Sequence, residues 1–304
     1  MLANFKKHIE LKFPFLKESK LLVTVSGGID SVVLLHLLYQ LDYSIVITHC
    51  NFCLREKESD IDEVFVKNLA SKLEVPFFTK RFSTEKYASN HKLSIQEAAR
   101  NLRYQWFSTL AKEQKCHAIL TAHNLNDNLE TFLINFSRGT GLKGLIGIPQ
   151  INKNINRPLM AFSRKEITAF ANENNIEWRE DKSNANTKYT RNKIRHSIIP
   201  VLEELNPNLL VSFKQTLENL QGSQQIVESQ ILDFKQQIEV ENPSVSLNSE
   251  ENTKKFNVKK FKNLKNPKAY IHAIFAPYNF TNFNDIVGLL SAQSGKQLFS
   301  KTHR

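Results

Sequence analysis

LLVTVSGGIDSVVLLHLLYQL, residues 21–41, passes from one apolar run through a glycine pair into a second apolar run about three turns long. The first run reads as a buried strand entering a tight turn, and the second places a helix start near Asp30. Outward from this unit the same alternation recurs. SIVITHC (44–50), VPFFTKRF (75–82) and AILTAH (118–123) read as strands. Residues 59–74 carry a helical pattern, with Ile61, Val64, Phe65, Leu69 and Leu73 expected on one side. SIQEAARNLRYQWFSTLAKE (94–113) opens with a Ser94–Glu97 capping box and reads as a helix, as does NDNLETFLINF (126–136). Strands alternating with such helices imply an α/β domain, a Rossmann-like parallel sheet covered on both faces. Ligands of such sheets bind at the carboxyl ends of the strands. SGGIDS, THCN and TAHNLND all fall there.

At 304 residues the chain suggests two domains at about 150 residues each. Past residue 150 the alternation fades, and 163–176, SIIPVLEEL and 209–238 read as helices, with 241–255 as a loop or linker and 266–293 as an α-rich module. The expected division is a catalytic domain at 1–210 and a smaller α-helical region at 211–304. No stretch of about 18 apolar residues exists, so no membrane span is expected, and residues 1–20 lack a signal-peptide core. The expected location is the cytoplasm. Three cysteines exclude a disulfide scaffold. The formal net charge is +11. Six Lys or Arg stand against two acids in 179–196, and seven Lys with no acid in 253–268. Nucleic acid is the usual partner of such segments, and a solvated basic surface is the plainer reading.

The loop Ser26-Gly27-Gly28-Ile29-Asp30-Ser31 offers glycines for close phosphate approach, a helix N-terminus and two hydroxyls. It resembles the pyrophosphate (PP) loop, SGGxDS, of the N-type ATP pyrophosphatases. HCNFCLR (49–55), EAARNLRY (97–104), HNLNDNLET (123–131), RGTGLKGLIGI (138–148), RPL (157–159) and KYTRNKIR (188–195) follow in order. Together they resemble the tRNA(Ile)-lysidine synthetase family over roughly residues 20–210.

That resemblance implies ATP, Mg²⁺, L-lysine and a tRNA(Ile) with a CAU anticodon. Its reaction adenylates the C2 oxygen of the wobble cytidine, releases pyrophosphate, and lets the lysine ε-amine displace AMP. It implies a PP-loop ATPase domain followed by a helical tRNA-binding region. It also implies roles. Ser26 to Ser31 would hold pyrophosphate, with Asp30 near Mg²⁺. His123 and Asp127 would form the catalytic pair. Glu130 would meet the lysine ammonium, although a solvated helix charge is the plainer reading. Arg100 or Arg103 would contact ATP phosphates, Arg100 matching the pattern better. Arg138 would face nucleotide or tRNA. Arg191 and Arg195 would contact phosphate or tRNA, with a plain basic helix as the alternative.

Two departures stand out. The second histidine of the family's HxNHxLR is Phe52 or Cys53 here, and Cys50 and Cys53 form a lone CxxC, expected to be packing residues because a closed metal site needs about four ligands. Longer relatives continue past FSKTHR, so a shortened carboxyl end is expected. The oligomeric state is left open, with a homodimer as one option. A tRNA-thiolating enzyme of the same superfamily is the alternative activity. A small-molecule synthetase of the same fold would leave both basic segments unused, and a non-catalytic RNA-binding relative would leave the intact loop unused.

Overall fold

The computed structural model describes residues 1–55, 57–180, 190–240 and 254–304. They divide into two compact units, Met1–Glu218 and Asn219–Arg304.

The first unit is built on β1 (Leu21–Thr24), β2 (Ile45–Asn51), β3 (Phe77–Arg81) and β4 (Ala118–Leu120), arranged β3-β2-β1-β4 and all parallel. A hairpin, β5 (Ile151–Asn152) and β6 (Ile155–Asn156), extends the sheet past β4. Only β6 is parallel to β4; β5 runs antiparallel, so the sheet is mixed at that edge. Alternation across the pleat sorts the strand residues to two faces. Leu21, Val23, Ile45, Ile47, Ala118 and Leu120 join one core, and Leu22, Val46 and Ile119 join another. Helices α1 (Leu2–Lys12), α2 (Ile29–Gln40), α3 (Lys57–Lys72) and α8 (Arg164–Glu173) contribute to the first core. Between α3 and α8 lie α4 (Thr84–His91), α5 (Ile95–Glu113), α6 (Leu125–Ser137) and α7 (Leu142–Leu145), and α5 covers the second core through Phe107, Leu110 and Ala111. A short α9 (Thr190–Lys193), one π-helical turn (Ile194–Ile198) and α10 (Ile199–Leu205) precede α11 (Leu209–Ile238). Their Ile194, Ile199, Phe213 and Leu217 pack with Leu125 and Leu129 of α6.

The expected capping box is present, with Ser94 accepting from the Glu97 N–H and Glu97 from the Ser94 N–H. One expectation needs correction. Phe65, Leu69 and Leu73 pack against the first core as expected, but Ile61 and Val64 of α3 are exposed, and the buried residues of the helix are Ser59, Asp62, Val66 and Ala70. The buried Asp62 carboxylate meets two arginines. β4 also stops at Leu120, short of the expected His123, leaving 121–124 as the turn that enters α6.

The second unit holds the rest of α11, β7 (Glu239–Val240) paired antiparallel with β8 (Lys255–Phe256), α12 (Val258–Lys262), α13 (Pro267–Phe275) and α14 (Phe283–Leu289). Its core is Ile238, Phe261, Ile271, Ile274 and Ile286, ringed by aromatic residues. Residues 241–253, most of the expected loop, lie outside the described residues, as do 181–189 of the first basic segment. No helix among the described residues is long and apolar enough to cross a membrane.

Candidate functional site

The carboxyl ends of β1, β2 and β4 open into a cavity of about 760 Å³. Ser26, Gly28, Ile29, Asp30, Ser31, His123, Asp127, Arg191 and Arg195 all line it, although the sequence separates them by up to 169 positions. Motifs from three segments therefore meet at the edge where parallel sheets bind ligands.

The loop after β1 is held open by its own hydrogen bonds. Ser31 Oγ donates to the Gly28 carbonyl at 2.8 Å and accepts from the Ser26 N–H at 3.1 Å. The Ser26 and Ser31 hydroxyls lie 3.1 Å apart. Gly27 adopts φ +97°, a conformation that side chains disfavour, and its carbonyl accepts from the Arg179 N–H at 2.9 Å. Gly28 caps α2 without a side chain, leaving the helix N-terminus open to an anion.

Asp30 stands in the first turn of α2 and pairs through Oδ2 with Arg164 of α8. Its Oδ1 is buried with no hydrogen bond. Burial raises the Asp30 pKa above the usual carboxylate range, against the pull of Arg164. Mg²⁺ ordinarily takes one or two carboxylates together with phosphate oxygens. An unpaired carboxylate oxygen beside an anion-binding helix end fits that donor set.

The turn into α6 carries the second group. Asn124 and Asp127 form a reciprocal cap: the Asn124 N–H donates to Asp127 Oδ2 at 3.0 Å, and the Asp127 N–H to Asn124 Oδ1 at 3.1 Å. Asp127 Oδ1 lies 3.4 Å from Arg195. Asp127 is thus both a cap and a cavity carboxylate. His123 Nδ1 is 3.0 Å from the Thr121 hydroxyl. Burial pushes its pKa down to about 4, with Arg157, Arg191 and Arg103 adding to the shift and Asp127 opposing it. The imidazole is neutral at pH 7.

Glu130 is fully buried, its Oε1 at 2.6 Å from Arg195 and its Oε2 at 3.6 Å from Arg191. It does not line the cavity. The expectation of an open carboxylate for a ligand ammonium is corrected here: the two arginines occupy it. Arg195 sits in the π-helical turn, a local widening of the helix common at functional sites. Arg100 and Arg138 are likewise away from the cavity. Arg100 is exposed, one turn earlier on α5 than Arg103 and folded over the Tyr104 ring at 4.9 Å, and Arg138 is the exposed C-cap of α6. Arg103 lines the cavity instead.

Sequence reasoning missed Arg55, Arg164 and Arg179. Arg55 and Arg179 both bind Asp62, at 2.9 and 2.6 Å, and Arg179 also binds Glu58 at 2.8 Å. The one available signal was a second capping box, Ser163 with Glu166, which fixes the start of α8 and so the position of Arg164. Cys50 lines the cavity with its thiol pushed up to about 12 by burial, and Cys53 is exposed at φ +52°.

A sequence-family profile described as the PP-loop domain matches residues 1–202, and one described as the TilS substrate binding domain matches 249–304. The tRNA(Ile)-lysidine synthase of Porphyromonas gingivalis is 38% identical over 286 residues, which cover 93% of this chain and 60% of that protein. The enzyme of the same name from Parabacteroides distasonis is 36% identical over 307 residues, 100% of this chain and 67% of that protein. The chain thus spans about 60% of the length of the Porphyromonas relative. Among solved structures, the U34-tRNA thiolase NcsA from Methanococcus maripaludis, with its 4Fe-4S cluster, matches with a TM-score of 0.58 at 19% identity, over 72% of this chain and 78% of that one. At that identity the likeness is one of fold. With its loop, its ordered motifs and both profiles in register, the chain belongs to the tRNA(Ile)-lysidine synthase family.

Proposed function

We propose that the chain joins L-lysine to C2 of the wobble cytidine in the CAU anticodon of tRNA(Ile), consuming ATP and yielding AMP and pyrophosphate. The observation that carries this reading is the meeting of the SGGIDS loop with His123, Asp127, Arg191 and Arg195 in one cavity. The cytosine carbonyl is a poor electrophile, and adenylation turns its oxygen into a leaving group. The loop's N–H groups and the α2 terminus receive the β- and γ-phosphates. Asp30 would hold Mg²⁺ with the phosphate oxygens, and bound Mg²⁺ supplies charge neutralisation for departing pyrophosphate. His123, neutral beside Asp127, takes the proton that the lysine ε-ammonium must lose before its nitrogen attacks C2. The imidazolium formed is stabilised by the Asp127 carboxylate. Arg191 and Arg195 present positive charge to the phosphates, and Glu130 fixes both guanidinium groups from behind. Arg100 and Arg138 are left to tRNA contact on the exterior.

The second unit's lysines, dense on α12 and at the start of α13, serve as phosphate contacts to the tRNA body. A thiolating enzyme is the alternative, and no observation favours it: the CxxC places only Cys50 at the cavity. The reading is tested with tRNA(Ile) transcript and labelled lysine. ATP-dependent label in the tRNA, with one AMP formed per lysine, supports it; AMP formation without lysine in the tRNA contradicts it.

A further inference from the structure

Six arginines line the cavity: Arg55, Arg103, Arg164, Arg179, Arg191 and Arg195. Among the described residues, five of them pair with a carboxylate: Asp62, Asp30, Glu58, Asp127 or Glu130. Among the described residues Arg103 pairs with no carboxylate and makes no hydrogen bond. Its guanidinium carbon instead lies 5.1 Å from the centre of the Phe52 ring. Phe52 in turn stacks on Phe82, with centroids 5.6 Å apart and planes 20° from parallel. Phe82 is only 7% exposed and acts as the rigid backing of the stack. A cation held on a ring inside a cavity keeps all its N–H donors and a planar surface for something else.

The stack does not end at the cavity. Lys80, exposed on the edge strand β3, lies 5.7 Å over Phe82 and 4.9 Å over Trp106. A run of cations and rings therefore leads from Trp106 and Lys80 at the sheet edge through Phe82 and Phe52 to Arg103. A mononucleotide needs one such layer. An unpaired RNA strand needs several, because each base wants a flat surface and each phosphate a cation. Arg103 also lines the same cavity as Cys50 and His123. Phe52 or Cys53 stands where the resembled pattern has its second histidine, and Phe52 is the one that lines the cavity.

We infer that Lys80, Trp106, Phe52 and Arg103 form a stacking platform for the unpaired bases of the RNA substrate, with the target pyrimidine received against Arg103. This rests on the tRNA reading above and adds the residues that receive the base. Arg103 is thereby assigned to the base-accepting side of the cavity rather than to the ATP phosphates.

The test uses the full chain and an anticodon stem-loop carrying pyrrolo-cytosine at the wobble position. Stacking quenches this base, so wild-type protein should quench it. Arg103→Lys keeps the charge but loses the planar fork, and Phe52→Leu loses the ring. Each should lose most of the quench and bind the stem-loop about tenfold more weakly, equivalent to about 1.4 kcal/mol. Phe52→Tyr keeps the ring and should retain the quench, which separates stacking from a folding defect. Affinity for a non-hydrolysable ATP analogue, measured without RNA, should be unchanged in all three. Full quenching in Arg103→Lys and Phe52→Leu overturns the inference, as does a loss of analogue affinity with quenching intact. Wild-type protein that makes lysidine while both variants still quench would remove this inference alone; wild-type protein that binds no stem-loop would remove the tRNA reading with it.

Discussion

Asp30 is half-buried, paired with Arg164 on one oxygen, while the other is buried and unpaired. Asp30→Asn keeps the shape of the α2 start and removes the charge. We expect a loss of at least about a hundredfold in pyrophosphate release, in line with groups that stabilise developing charge, and an unchanged circular dichroism spectrum; wild-type release would remove Asp30 from the site. His8 gives a second prediction. It packs edge-on against Phe13 and Phe162, its Nε2 is buried without a partner, and burial pushes its pKa down to about 4. The folded value lies below the ordinary 6.5, so the unfolded chain takes up a proton first as pH falls. Stability is therefore full above about pH 6.5 and declines toward pH 4, and His123 adds to the same window. The melting temperature should fall between pH 7 and 5, and less so in His8→Leu; an identical slope in the variant would contradict this. Residue types were readable where chemistry forces a local pattern, as in SGGIDS. The arginine pairs were not, because Arg164 meets Asp30 across 134 positions and Arg179 meets Asp62 across 117. No local spacing encodes such a meeting.

The elements that carry the site are held by carboxylates rather than by apolar packing alone. Asp62 gathers Arg55 of the segment after β2 and Arg179 of the segment after α8, and the Arg179 N–H fixes the carbonyl of Gly27. Asp62→Ala would take one carboxylate partner from each of Arg55 and Arg179, while Arg179 keeps Glu58. A loss of about 1–3 kcal/mol in unfolding free energy is expected, together with weaker ATP binding because the loop loses its brace. Chemical denaturation and calorimetry with an ATP analogue measure both; unchanged ATP affinity would show that the brace does not reach the loop. The same carboxylate explains the misread face of α3. Hydrophobic periodicity placed Ile61 and Val64 inward, and it has no means of weighing an ion pair formed 117 residues away. The four parallel strands and the long helices were legible because two buried faces demand nearly continuous apolar runs. The hairpin β5–β6 was not, since strands of two residues carry no period.

At the scale of the molecule, charge separates into the cavity at the sheet edge, where most arginines are paired, and a lysine-rich surface on the second unit. Lys259, Lys262 and Lys265 are exposed there, while Lys260 holds the Gln237 carbonyl at 2.7 Å. Replacing Lys259, Lys262 and Lys265 by Gln should weaken tRNA binding and lower the slope of log K against log salt by about 0.7–0.9 per lost phosphate contact. ATP affinity should be unchanged. Equal affinity and slope in the triple variant would make these lysines a solvated surface. Net charge and its clustering were visible in the sequence, but which lysines are free to meet a phosphate required the folded chain. The central claim concerns the product. Digestion of tRNA(Ile) transcript after incubation with the protein, ATP and ¹⁴C-lysine, followed by nucleoside chromatography, measures it directly. The account predicts one labelled nucleoside per tRNA, replacing the wobble cytidine and requiring ATP; an unmodified wobble cytidine, or a modified one without lysine carbon, contradicts it.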